Sequence, residues 1–297
     1  MLSVGIGGGG DVVGALGVAR AAQAAGLEAR VGGVTWERRP IDPLPGPRRL
    51  DETVGVVERL HPAVALAGPD TRGPGGFAFA ESGMARVLGE PVVLADPGPG
   101  PQVVAEGLDA AAAALGCDLV ALVDVGGDVL GHGHEPGLAS PLCDAVLLAA
   151  SAYMATPAVG AVFGTGCDGE LTPEEVLERL AEVAAAGGLL GAWGLTPADA
   201  DALEAAVAEV PTEASAMAVR CARGGLGRAE IRGGRRTVPL SPIGALTFFF
   251  DPAAAMRSAA RLAAAVVACD SLEDAQAVLA ARGVRTELDY EREMAAG

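Results

Sequence analysis

Leu2-Ser3-Val4-Gly5-Ile6-Gly7-Gly8-Gly9-Gly10-Asp11, continued as VVGALGVARAAQAAG to Gly26, is the stretch that decides the fold. Residues 2–6 form a short apolar run, the pattern of a buried strand. Gly7–Gly10 reads as a tight turn. Residues 11–25 then read as a helix, with Gly26 at the C′ position that favours glycine. Strand, glycine turn and helix in immediate succession open a doubly wound sheet, in which ligands bind beyond the carboxyl ends of the strands.

The same alternation continues along the chain. A second strand is expected over 28–36, ending in Glu37-Arg38-Arg39-Pro40, and the proline-rich residues 41–49 follow as an irregular loop. Further strands are expected at 63–67, 91–95, 119–124 and 159–163, with helices at 77–88, 102–115 and 142–152 between them. Thr172-Pro173-Glu174-Glu175 and Thr196-Pro197-Ala198-Asp199 each place a capping threonine, a proline at N1 and an acid at N3. Ser271-Leu272-Glu273-Asp274 repeats the device without proline. Short strands at 229–232, 236–240 and 245–250 and helices at 252–268 and 272–282 complete the chain. The expectation is an α/β fold with a doubly wound, mostly parallel, Rossmann-like sheet and a small mixed C-terminal extension. It is one domain over 1–297, divisible into a core sheet at 1–190 and C-terminal helices and short strands at 191–297.

Composition removes several chemistries. The 297 residues are 51% hydrophobic, enough for a large core without disulfides. The chain contains no lysine and no asparagine. Without lysine there is no Schiff base, pyridoxal anchor or Walker A lysine, and a protein kinase needs both residues. A formal charge of −17 argues against nucleic acid or an anionic membrane as partner. Five scattered cysteines with no CxxC pair suit reduced thiols in a cytoplasmic protein. No leader is expected before the first strand, and no apolar run is long enough to span a bilayer. Closed symmetric homo-oligomers are the commonest soluble assemblies, so a homodimer is the expected state.

Three expected strand ends carry glycines together with acids. At the first, Gly5-Ile6-Gly7-Gly8-Gly9-Gly10 matches GxGxxG, with Gly7, Gly8, Gly9 and Gly10 as the candidate binding loop, and the following helix N-terminus favours an anion. Asp11 at that terminus would compete with an anionic ligand. Glu37 stands where a dinucleotide-binding fold places its ribose-binding acid, with Arg38 and Arg39 beside it. At the second, Val123-Asp124-Val125-Gly126-Gly127-Asp128 runs on into Gly131-His132-Gly133-His134-Glu135. Acids at a strand's carboxyl end suit a divalent metal or a general base, and alternating histidines suit a transition metal. At the third, Phe163-Gly164-Thr165-Gly166-Cys167-Asp168-Gly169-Glu170 repeats the combination, with one of Asp168 and Glu170 expected toward a ligand and the other toward solvent. Between them, Ser140 and Pro141 read as a helix cap, and Cys143 as a nucleophile candidate without an evident histidine partner. Turns alone explain the glycines but do not call for an acid in every loop.

The strings GIGGGGDVVGA, VTWERRPIDPLPGPR, VDVGGDVLGHGHEPGLASPLCDA and FGTGCDGELTPEEV resemble, in this order, the domain-of-unknown-function family numbered 1152, a group of archaeal and bacterial proteins. The resemblance runs from the first strand to near Phe250. It implies an intracellular protein with one whole-length domain and supplies no activity. It favours the carboxylates Asp11, Glu37, Asp128, Glu135, Asp144 and Asp168 over the histidines, and hence oxygen-ligated magnesium or metal-free acid/base work over a histidine-bound metal.

The leading expectation is an enzyme on a small phosphorylated or nucleotide-like metabolite. Gly7–Gly10, Asp11, Glu37 and Arg38 would bind the phosphate or cofactor, and Asp124, Asp128 and Asp168 would hold magnesium or, with Glu135, act as acid and base. Hydrolysis, phosphoryl transfer and lyase or cyclase chemistry remain open. The alternatives are an NAD(P)-dependent oxidoreductase and a non-catalytic nucleotide-binding accessory protein.

Overall fold

Strands buried on both faces need a layer of helices on each side. Leu2–Gly5, Val92–Ala95 and Val120–Val125 are of this kind. The computed structural model describes residues 1–39 and 41–296; Pro40, at the tail of the second expected strand, and Gly297 lie outside the described residues. In chain order the elements are β1 (Leu2–Gly5), α1 (Asp11–Ala24), β2 (Arg30–Val34), β3 (Val54–His61), β4 (Val64–Arg72), α2 (Ala80–Leu88), β5 (Val92–Ala95), α3 (Pro101–Leu115), β6 (Val120–Val125), α4 (Pro141–Ala150) and β7 (Ala158–Phe163). There follow α5 (Pro173–Ala185), β8 (Leu189–Gly194), α6 (Pro197–Glu209), α7 (Glu213–Ala222), β9 (Gly227–Ile231), β10 (Arg236–Leu240), β11 (Leu246–Phe250), α8 (Pro252–Arg257), α9 (Arg261–Val266), α10 (Leu272–Ala281) and α11 (Glu287–Ala296).

Among the described residues, nine strands form one sheet in the order β3-β4-β5-β2-β1-β6-β7-β11-β8, and β9 and β10 form a separate hairpin. The five central strands, β5-β2-β1-β6-β7, are parallel. β4 and β3 extend one edge in antiparallel sense, and β11 extends the other, with β8 antiparallel to it outside. The chain leaves β1 toward β2 on one side and β6 toward β7 on the other. The crevice beyond these two carboxyl ends is therefore the topological switch point.

Alternation along β6 divides the core. Val120 and Leu122 join a cluster covered by α3, α4, α5 and α8–α10, while Ala121, Val123 and Val125 join one covered by α1, α2, α6 and α7. By the same alternation Asp124 belongs to the α4 side, at the point where the strand runs out.

The expected α/β class and parallel sheet are present, and the C-terminal extension is mixed: β8 and β11 complete the sheet while β9–β10 stand apart. Some details differ. The helix expected over 252–268 is broken into α8 and α9, because Ser258 and Ala260 leave helical backbone angles. Strand β3 escapes a reading by hydrophobic pattern because it is a largely exposed edge strand, and β8 is exposed throughout. Helices α7 and α11 were also not expected; in α11 only Glu287, Leu288 and Glu291 are buried, so no apolar stripe announces it.

Helix α1 approaches the sheet closely because two of its residues have no side chain. A Cβ on Gly17 would stand 2.5 Å from Phe163 Cε2, and one on Gly14 would stand 2.3 Å from Val125 Cγ2. Replacing Gly17 by alanine raises helix propensity by about 1 kcal/mol, but overpacking a tight core costs about 1–3 kcal/mol. Gly17→Ala is therefore expected to lower the urea midpoint without changing the slope. A raised midpoint would show that the Phe163 ring yields freely.

Candidate functional site

The backbone leaving β1 turns through Gly8 and Gly9 at positive φ (83° and 55°), where glycine carries no steric penalty. Gly9 N–H donates to the Trp36 carbonyl (2.7 Å). Asp11, in the first turn of α1, bends back so that its Oδ2 accepts from Gly7 N (3.0 Å) and Val125 N (3.4 Å). The carboxylate that this helix N-terminus favours is thus its own. A Cβ on Gly7 would lie 2.5 Å from Asp11 Oδ2 and 3.1 Å from both oxygens of Asp144. The glycine loop makes room for carboxylates.

Four more aspartates converge on this point. Asp124 closes β6, and its Oδ2 accepts from Val129 N (3.2 Å). Gly126 and Gly127, at φ 123° and 125°, turn the chain into Asp128. Asp144 comes from the first turn of α4, and Asp168 from the loop after β7. Asp124 and Asp144 are 1% exposed, Asp128 is 4% and Asp168 is 5%. They fall into two groups. One oxygen each from Asp11, Asp124 and Asp144 lie within 4.8 Å of one another, and so do one each from Asp128, Asp168 and Glu170. Among the described residues Asp128 Oδ2, Asp144 Oδ1 and Asp168 Oδ1 are buried without a hydrogen-bond partner.

Burial and mutual repulsion shift these groups strongly. Burial pushes Asp11 up to about 7, against the pull of Arg38. Burial, with Asp11 beside it, pushes Asp124 up to about 8. Burial and neighbouring carboxylates hold Asp128, Asp144 and Asp168 well above the ordinary carboxylate range. Glu170 is the exception. Burial alone would raise it, but Arg236 at 2.9 Å and hydrogen bonds from Ser140 Oγ (2.5 Å), Ala139 N (2.7 Å) and Ser140 N (2.9 Å) keep it below its usual value. Unpartnered, dry carboxylate oxygens fit a hard divalent cation, which takes oxygen ligands and offsets the repulsion.

Basic residues share the cavity with these acids. A cleft of about 560 Å³ is lined by Asp11, Asp128, Asp144 and Asp168, with Arg38, Arg39, Arg232 and Arg235 among its other lining residues. A second chamber of about 500 Å³ shares those four arginines and adds Arg236 and Arg285. Arg38 donates to the Gly7 carbonyl and stacks 5.3 Å from the centre of the Trp36 ring. Burial alone would lower its pKa, but Glu287 and Glu291, 4.0 and 3.9 Å away, raise it and keep the guanidinium charged. Both acids come from α11. Glu287 also accepts from Leu142 N and Cys143 N at the start of α4, and Glu291 from Trp36 Nε1 and Gly46 N.

The profile of the DUF1152 family, described as proteins of unknown function, matches residues 2–295. The chain belongs to that family. No curated protein and no solved structure matches it, so for this family member the residues themselves carry the functional argument.

Of the residues singled out from sequence, Gly7–Gly10, Asp11, Arg38, Asp128 and Asp168 line the cleft, and Asp124 sits buried in the group with Asp11 and Asp144. Asp124, Asp128 and Asp168, expected as one ligand set, divide between the two groups. Glu37 lines the cleft, but its Oε1 is engaged by Ala80 N (2.5 Å), so it caps α2. Glu135 does not belong to the cleft lining. Its carboxylate accepts from His132 N, Gly133 N and His134 N, and so shapes its own loop. His132 is held by Glu182 (3.1 Å) and by Arg179 (2.8 Å), a cation where a metal ligand would need to be free. The Cys143 thiol is raised well above its normal range by burial and by Asp144, against nucleophilic use. Glu170 points to Ser140 and Arg236, not to solvent. Sequence reasoning missed the arginines of the β9–β10 hairpin and the two acids of α11.

Glu37, after β2, and Glu81, on α2, form a further titrating pair beside the cleft. Burial raises Glu37 to about 7, and burial together with Glu37 holds Glu81 well above the ordinary range. A folded-state pKa above the unfolded one stabilises most below the unfolded value, about 4.3, and that contribution is lost as pH rises through the folded value. The melting temperature should therefore fall as pH is raised from about 5 toward 8. Glu81→Gln, which has no proton to lose, should make that decline shallower by a few degrees. An unchanged slope in the variant would show that Glu81 titrates normally.

Proposed function

We propose that the protein is a magnesium-assisted enzyme acting on a small phosphorylated or nucleotide-like metabolite. The observation that carries this reading is one cleft lined by three aspartates with unpartnered, buried oxygens together with Arg38, Arg39, Arg232 and Arg235. An acid floor alone would repel an anionic substrate, and an arginine wall alone would bind one without activating it. A divalent cation between them supplies Lewis-acid charge to phosphoryl oxygens.

The remaining chemistry belongs to side chains of this chain. Asp128 and Asp168 would hold the cation, and Arg38, Arg39, Arg232 and Arg235 would take phosphate oxygens, for which the guanidinium fork is well shaped. Gly7 and Gly9 have their N–H groups engaged within the loop, which transfers phosphate recognition from the glycine turn to the arginines. With lysine absent, the acid/base groups available at the floor are carboxylates. Hydrolysis, phosphoryl transfer and lyase or cyclase chemistry all use this arrangement.

The test is a thermal-shift series with nucleotides and sugar phosphates, each with and without magnesium. A ligand at 100 times its dissociation constant stabilises by about 2.7 kcal/mol. Stabilisation is expected only when phosphate compound and magnesium are both present, and Asp128→Asn should lose it together with turnover of the responding compound. Equal stabilisation without magnesium, or by the unphosphorylated nucleoside, would overturn the reading.

A further inference from the structure

We infer that the floor of the cleft is a binuclear site holding two divalent cations, one on Asp11, Asp124 and Asp144 and the other on Asp128 and Asp168. The inference deepens the magnesium reading above and rests on it for the presence of a cation; the number of cations and their ligands are new.

Three observations separate two positions from one. First, Asp11, Asp124 and Asp144 bring one oxygen each within 4.8 Å of one another, and Asp128, Asp168 and Glu170 do the same as a second set with no residue in common. Second, each group contains a buried oxygen that no donor satisfies: Asp144 Oδ1 in one, Asp128 Oδ2 and Asp168 Oδ1 in the other. A proton or one cation in either group leaves the other's oxygen unsatisfied. Third, a glycine stands over each group where any side chain would intrude. A Cβ on Gly7 would meet Asp11 and both Asp144 oxygens, and one on Gly126 would lie 2.1 Å from Asp168 Oδ1.

Charge leads to the same count. The two groups together hold six carboxylates, and Arg236 compensates Glu170. With the other five carboxylates ionised, as cation binding requires, one divalent cation leaves three negative charges unmatched and two leave one. Glu170 has both oxygens occupied by Arg236, Ser140 and Ala139, so it positions the 139–140 turn and is not counted as a ligand. Asp124 and Asp128 stand on either side of the Gly126–Gly127 turn, so the two positions adjoin. Paired metals of this kind stabilise the attacking and the leaving oxygen of a phosphoryl displacement at once.

The test uses the full chain and Mn²⁺ alone, with free Mn²⁺ followed by its EPR signal during titration. The wild type is expected to bind two ions per chain. Asp144→Asn and Asp168→Asn should each bind one, and Asp11→Asn should repeat the Asp144→Asn result if that variant does not fold. Glu135→Gln, away from the cleft, should still bind two. One ion in the wild type, lost in both aspartate variants, would overturn the binuclear assignment while leaving the single-magnesium reading intact. No bound Mn²⁺ would overturn both, and two ions unaffected by either aspartate variant would place them elsewhere.

Discussion

Carboxylates crowded into a dry crevice repel one another, and much of the architecture around the switch point answers that repulsion. A buried, ionised carboxylate is tolerated only with a partner, a proton or a cation. Glu170 has Arg236, and Asp11 has two backbone N–H groups and the field of Arg38. Asp128, Asp144 and Asp168 have none of these in full. A fold that needed these positions only for packing would be better served by leucine, since apolar replacements of buried ionic groups are often neutral or stabilising. The arrangement makes physical sense when the missing charge arrives with a ligand.

The basic residues follow from the same constraint. All 21 permanently cationic side chains are arginines, and seven of them line the two chambers although the chain is strongly acidic overall. Arg38 is held from three directions: the Gly7 carbonyl, the face of Trp36 and the acids of α11. Helix α11 thereby links the carboxyl end of the chain to its first loop. Glu287 spans from Arg38 to the start of α4, so the helix that presents Asp144 and the arginine opposite it share one anchor. Asp144 is carried by a helix, and Arg38, on the loop after β2, is fixed by the acids of α11, which favours a preorganised site.

The central strands were legible because their reading depends on local pattern: apolar runs of about five residues between glycine turns and capped helices. β1, β5, β6 and β7 fall where the pattern places them. β3 and β8 lacked that signal because an exposed edge strand has no core face to advertise. The site was legible as a set of acids at strand ends, since topology alone brings the carboxyl ends of parallel strands together. What could not be read was the partition among those acids. Glu135 looked like Asp128 in sequence, yet its loop turns its carboxylate onto the N–H groups of His132, Gly133 and His134, which residue type does not announce. The α11 acids were hidden for a related reason: two glutamates occupy the buried face of a helix, which inverts the pattern by which amphipathic helices are recognised.

The glycine-rich turn shows how a motif can be placed correctly and still carry a different physical meaning. GxGxxG before a helix ordinarily brings backbone N–H groups to a phosphate. Here the element order and the turn are as that motif requires, but an acid stands at the helix N-terminus and takes the Gly7 N–H for itself. The absence of a Cβ at Gly7 leaves space that Asp11 and Asp144 fill from either side. With negative charge installed where a phosphate would lie, a directly bound anion is disfavoured and a bridging cation is favoured. The same glycine geometry that elsewhere serves an anion serves here to let carboxylates approach each other, and under the proposed function the arginines that line the same cleft would take over recognition of a negatively charged substrate.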